Sequence, residues 1–175
     1  MAELIEFPRK AAARVGNTLV EPIRAAWPVY SVDDFGRDPH LISAIGPLTR
    51  LRWDVSVGGL HHLPARTGAL LVCNTRRWSL SNVYAALALS EASGRPVRFV
   101  GRPDIAPVGS LMRRLGGLLA QPSDVLGALR HHELVLVSAA PTGHPRHAGV
   151  VPHELIGPAV IAGCPVFPVA TMSSA

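Results

Sequence analysis

The sequence predicts an α/β fold: a single domain with a mostly parallel central sheet flanked by helices. Three observations carry that expectation. From about Trp53 onward, strand-like and helix-like segments alternate, the pattern of a sheet built from parallel pairs. "ALLVCN" (69–74) and "ELVLVSA" (133–139) contain short continuous apolar runs, as strands covered on both faces do. A chain of 175 residues, 48% hydrophobic and 17% charged, can bury one good core and is too apolar for disorder.

Residues 1–50 read as an N-terminal helical segment and 51–175 as the α/β domain. Within the first, "RKAAARVGNTLVEPIRAAW" (9–27) is helix-prone, interrupted by Gly16 and Pro22, and sets Arg9, Lys10, Arg14 and Arg24 among small and apolar residues. Such a segment suits an anionic membrane surface or simply packs on the domain. "VDDFGRDPH" (32–40) reads as a loop from its Asp, Gly and Pro, and a short helix is expected over Leu41–Leu51.

In the second part, "WDVSVGG" (53–59) alternates like a half-buried strand and "HHLPARTG" (61–68) is a turn. After "ALLVCN", Leu80, Val83, Tyr84 and Leu87 recur at helical spacing, with Ser79 as N-cap and Gly94 as the stop. "PVRFVG" is the next strand, "APVGSLMRRLGG" (106–117) a helix, and "SDVLGALRHH" (123–132) another, capped by Ser123. "ELVLVSA" is a strand, "PTGHPRHAGVVP" (141–152) a loop, "ELIGPAVIAG" (154–163) a helix weakened by Gly157 and Pro158, and "CPVFPVA" (164–170) a last strand. The chain ends just after it, so the domain is expected either to be minimal or, incomplete at its C-terminus, to be completed by another chain, with an exposed sheet edge for docking.

Composition narrows the function classes. The longest apolar stretch, "LIGPAVIAGCPVFPVA", is cut by Pro158, Pro165 and Pro168, so no spanning helix is expected. The N-terminus lacks the features of a secretory signal, and the two cysteines, Cys73 and Cys164, read as buried free thiols of a reducing compartment. The expected location is cytoplasmic, peripheral on the inner face of the membrane. A formal charge of +5 favours phosphate-bearing partners without choosing among them. No phosphate-cradling glycine loop is present.

Five segments in order, "VSVGGLHHLP", "ALLVCN" with Trp78 in the following turn, "PVRFVGRPDIAPVGSLMRRLGG", "ELVLVSAAPTG" and "AGCPVFPVA", resemble the glycerolipid acyltransferase family, enzymes that acylate 1-acyl-glycerol-3-phosphate and related acceptors. The resemblance runs from Trp53 to Ala170 and implies that family's α/β fold. The family's chemistry rests on a histidine followed, after four intervening residues, by an aspartate: the imidazole takes the acceptor hydroxyl's proton as it attacks an acyl thioester, and the carboxylate orients the ring. Here Asn74 matches the residue before the histidine and Trp78 an aromatic of the turn, but the histidine position is Thr75 and the aspartate position Leu80. In "GGLLAQP", Gln121 or Pro122 stands where an arginine is expected. In "SAAPTGHPR", Thr142 is kept, Ala140 replaces a glutamate and Gly143 an arginine, for which nearby Arg146 could substitute.

The resemblance with its missing pair implies a fold kept and an activity lost. A displaced base would have to come from elsewhere. His61 and His62 precede the first buried strand and fall at its far end. His131 and His132 end a helix, where the dipole favours a cation. His144 and His147, in the loop after "ELVLVSA", are the candidates, because loops at the carboxyl ends of parallel strands share one crevice. The spacing of "HPRHAGVVPH" fits no zinc pattern, so no metal is expected. Neither Ser79 nor Ser81 sits in a nucleophile elbow.

Arg76 and Arg77 put two fixed charges at a helix start, where an anion is already favoured. They hold a phospholipid headgroup or an acyl carrier's phosphates, with Trp78 at the lipid interface, or they are solvated with Trp78 in the core. Arg102, with Arg113 and Arg114, extends the basic area. Gly109, Leu111, Met112 and Leu115 either meet a membrane or pack the helix. The candidate ligand-binding set is Asn74, Arg76, Arg77, Trp78, Arg102, Thr142 and Arg146.

Three functions follow as expectations. The first is a non-catalytic lipid-binding or acyl-ligand-binding accessory subunit, on an anionic membrane or phospholipid or against a membrane-protein partner. The second is an active acyltransferase on a glycerophospholipid or glycolipid, with a displaced base and acyl-CoA or acyl carrier protein as co-substrate. The third is a scaffold with no ligand. No resident cofactor and no nucleic-acid partner are expected.

Overall fold

The computed structural model describes residues 32–52, 55–74, 80–139 and 149–171, and only the backbone of 47–52. Residues 32–175 belong to one compact unit. In order, the elements are α1 (Pro39–Arg52), a 3-10 turn (Leu60–His62), β1 (Ala69–Cys73), α2 (Ser81–Ser93), β2 (Val97–Val100), α3 (Val108–Arg114), β3 (Gly117–Leu118), α4 (Pro122–Arg130), β4 (Leu134–Ser138), α5 (His153–Ala162) and β5 (Val166–Val169). The five strands form one sheet in the order β3-β2-β4-β1-β5, and every pairing is parallel. The expected parallel α/β architecture is what forms.

The apolar runs become the central strands because helices cover both of their faces. β4 is buried at every position and β1 at all but Val72. Alternation then sends side chains to two cores. One side holds Leu71, Cys73, Phe99 and Leu136 with Val83, Ala86 and Leu89 of α2 and Leu41 of α1. The other holds Leu70, Val135 and Val137 with Val125 and Leu129 of α4 and Leu155 and Ala159 of α5. Thus residues 39–46, grouped with the N-terminal segment by sequence, help to cover the sheet.

Several elements differ from the sequence expectation. Residues 55–59 form no strand: they are largely exposed, only Val57 packs against the core, and Gly59 takes a left-handed conformation (φ 77) before the 3-10 turn. The segment has the alternation of a strand but no sheet neighbour, because β5 occupies the place beside β1. The helix expected through Gly117 stops at Arg114, and Gly117 instead opens β3 beside β2. A Cβ there would lie 2.8 Å from the Met112 carbonyl oxygen and 2.8 Å from the Phe99 ring, so only glycine lets the chain pass. In α2 the buried face is Asn82, Val83, Ala85, Ala86, Leu89 and Ser90, while Leu80 is exposed at the cap position. Ser79, the expected cap, lies outside the described residues. Gly94 (φ 65) does end the helix. α4 starts one residue early, with Pro122 in its first turn after Gln121, where a missing N–H costs nothing.

Residues 33–38 tie α1 to the sheet with charges. Asp38 caps α1, its Oδ1 accepting from the N–H groups of His40 and Leu41, both at 3.0 Å, while its Oδ2 pairs with Arg114. Arg98, fully buried on β2, pairs with Glu133 and Asp33 and lies 5.2 Å from the Phe35 ring centroid. At the amino ends of the strands, Arg95 donates to the carbonyls of Pro64, Thr67 and His132.

Candidate functional site

Topology selects the carboxyl end of the sheet. β1 and β4 are neighbours in register, Cys73 opposite Ser138, and the Ala139 N–H donates to the Cys73 carbonyl at 2.8 Å. The helix after β1 packs on one face and the helix after β4 on the other. Where adjacent parallel strands send their connections to opposite faces, a crevice opens beyond their carboxyl ends.

Asn74 stands at that point, directly after β1. Its Oδ1 accepts from the Thr171 N–H at 2.8 Å and the Thr171 hydroxyl at 2.9 Å, and its Nδ2 donates to the Thr171 carbonyl at 3.2 Å. The backbone N–H can only donate, which fixes the orientation of the amide. The side chain therefore prolongs the β1–β5 pairing by one residue.

On the α2 face, between β5 and the segment 55–63, runs a groove of about 790 Å³. Its walls are mainly apolar: Val57, Leu60, Leu63, Ala88, Leu89 and Phe167 are among them, and Thr171 lies at the carboxyl end of the sheet. His62 also lines it, with its ring 3.9 Å from that of His61. A second groove of about 1070 Å³ lies on the other side of residues 55 and 57, between α1 and α2.

Of the sequence-derived site residues, the described ones are Asn74, Leu80 and Arg102. All three stand at the carboxyl end of the sheet. Arg102 follows β2, where its N–H donates to the Leu118 carbonyl at 3.1 Å and its guanidinium lies 3.6 Å from Asp104. β2 and β1 are two strands apart, about 10 Å, so the strands carrying Arg102 and Asn74 share an end of the sheet without being neighbours. Leu80 is 58% exposed. Thr75, Arg76, Arg77, Trp78, Thr142, His144, Arg146 and His147 lie outside the described residues.

β5 is an edge strand. Leu70 N–H donates to the Pro165 carbonyl at 3.0 Å, and that register turns the backbone of Val166 and Pro168 outward. Pro168 has no N–H to offer, which blunts the edge for strand addition. Among the described residues no helix is long and apolar enough to cross a membrane, and no group of three or more His, Cys, Asp or Glu side chains could hold a metal ion. Both cysteines are free; Cys73 is buried and Cys164 half-buried, with its thiol pKa pushed up by burial. No family model, no curated protein and no solved structure matches the chain.

Proposed function

We propose that this chain is an acyltransferase-like α/β protein that has lost acyl transfer and binds the acyl chain of a lipid, acting as a lipid-binding or membrane-complex accessory subunit. The observation that carries this reading is the apolar groove ending at Thr171, beside Asn74. A volume of about 790 Å³ lies in the range of about 300–1,000 Å³ typical of small-molecule sites. Its largely aliphatic walls suit a hydrocarbon chain. Thr75 and Leu80, where the resembling family has its base and carboxylate, support loss of catalysis: neither can take a proton from an acceptor hydroxyl near neutral pH.

The test is a turnover and binding assay on one preparation. Purified protein is given long-chain acyl-CoA and 1-acyl-glycerol-3-phosphate, and free CoA and diacyl product are followed by mass spectrometry. Native mass spectrometry reports retained lipid. The expected result is lipid bound stoichiometrically with no product. Product formation that disappears with His144→Ala or His147→Ala would replace this reading with an active enzyme using a displaced base, and the absence of bound lipid would remove it.

A further inference from the structure

Arg37 and Ser90 meet in the lining of the second groove, between α1 and α2. The Arg37 Nη2 donates to the Ser90 hydroxyl at 2.8 Å, and that hydroxyl donates to the Arg95 carbonyl at 2.9 Å. Among the described residues nothing else accepts from the Arg37 guanidinium: Nε is buried without a partner, Nη1 is unbonded, and no carboxylate pairs with it.

The nearby acids are committed elsewhere. Asp33 and Glu133 pair with Arg98, and burial, followed by the charge of Arg98, lowers the Arg37 pKa against their pull. A half-buried cation held beside a second cation is costly, and an anion at Nη1 would offset that cost. Arg95 lines the same groove, but its guanidinium is spent on the carbonyls of Pro64, Thr67 and His132. Against these two cations the described lining sets one carboxylate, the exposed Glu91. The two grooves also share a wall: Val55, Val57 and Ala88 line both. Ala88 and Ser90 are two residues apart on α2, about 3 Å along its axis, so the apolar walls of the first groove give way to Arg37 within one turn of helix.

We propose that Arg37 anchors the oxyanion head, carboxylate or phosphate, of a lipid whose hydrocarbon chain lies in the first groove; this rests on the lipid-binding reading above. Arginine holds such oxygens by charge-assisted hydrogen bonds, and a few placed polar groups orient a ligand along otherwise apolar walls. A free anion offers the same head chemistry but makes no use of the first groove, so probes with and without a chain separate the two.

The experiment is calorimetric titration of the delipidated full chain with dodecanoate, dodecyl phosphate and dodecanol below their micellar concentrations, and with acetate and inorganic phosphate as heads without a chain. The parent is expected to hold the two anionic lipids about tenfold or more tighter than dodecanol, and the free anions far more weakly than either. Arg37→Met should erase that preference while dodecanol binds as before, and Arg37→Lys, which keeps the charge, should retain part of it. Circular dichroism checks that both variants are folded. A guanidinium that serves only to tie residues 33–38 to α2 through Ser90 would instead weaken all three lipids alike.

Equal affinity of the parent for charged and neutral lipids, or a preference that survives Arg37→Met, would overturn the proposal and leave the lipid-binding reading standing. Inorganic phosphate bound as tightly as dodecyl phosphate would overturn it too, making Arg37 a site for a small anion. Binding of none of the three lipids would defeat the lipid-binding reading itself, and the head site with it.

Discussion

Asn74 and Thr171 are joined by three hydrogen bonds, with the Asn74 amide oxygen receiving two of them. The contact closes a separation of 97 residues in sequence and fixes the end of β5 against β1, where the groove meets the carboxyl ends of the strands.

Asn74→Ala is expected to cost about 1 kcal/mol, the net worth of hydrogen bonds at an exposed site. Hydrogen exchange at the Thr171 amide should accelerate while the β4 amides stay protected. Asn74→Asp keeps the acceptor for Thr171 and should recover part of the protection. Equal exchange in all three proteins would mean that the contact holds nothing.

Leu80→Asp is expected to leave stability unchanged or raise it by about 0.3–1 kcal/mol. It removes an exposed leucine and places a carboxylate at the positive end of α2. Urea unfolding at neutral pH measures this, and a loss above that size would mean that Leu80 is packed. The same variant combined with Thr75→His would test whether a His and Asp pair at these positions confers acyl transfer.

Arg98 is fully buried between Glu133 and Asp33. Burial alone would lower its pKa, but hydrogen bonds and charge from Glu133 and then Asp33 outweigh it and raise the value. Arg98→Met strands the Glu133 carboxylate against an apolar side chain and should destabilise by about 3–5 kcal/mol. Arg98→Met with Glu133→Gln should recover much of that loss, because the more buried of the two carboxylates is neutralised and Asp33, a third exposed, keeps contact with water. Unfolding midpoints of the single and double variants decide it.

Asp38 carries the clearest pH dependence. Burial pushes its pKa up, but the Leu41 N–H, the Arg114 guanidinium and the His40 N–H outweigh it and hold the carboxyl below its ordinary value. Because the folded pKa is depressed, the ionised group stabilises the fold above the unfolded value of about 3.9, and that contribution is lost as pH falls through the folded pKa. Asp38→Asn keeps an N-cap acceptor but should flatten the acid limb of stability against pH. An unchanged acid limb would place the titration elsewhere.

The sheet was legible wherever a strand is buried on both faces. Leu134–Val137 and Ala69–Cys73 are continuous apolar runs, and local sequence states it. Segment 55–59 misled because alternation marks any chain with one face against a core, and Val57 packs without a sheet neighbour. β3 has two residues, too few for a period. The Asp38–Pro39 helix start was read as loop from its Asp and Pro, and α1 begins at Pro39, two residues before the expected Leu41.

The site was legible only in part. The turn after β1 was singled out by its polar residues following an apolar run, but the groove depends on β5, α2 and the 55–63 segment meeting, and the Asn74–Thr171 contact joins residues whose spacing carries no signal. His62 lines the groove through the same meeting of elements.

The most direct test of the lipid-binding account is calorimetric titration of delipidated protein with a long-chain lysophosphatidic acid below its micellar concentration, for the parent chain and for Ala88→Trp. Ala88 is half-buried in the groove wall, and an indole there would occupy the space of the hydrocarbon. The account predicts saturable binding by the parent and affinity weakened about tenfold or more in the variant at equal folding. Equal affinity in both proteins, or no binding by either, would contradict it.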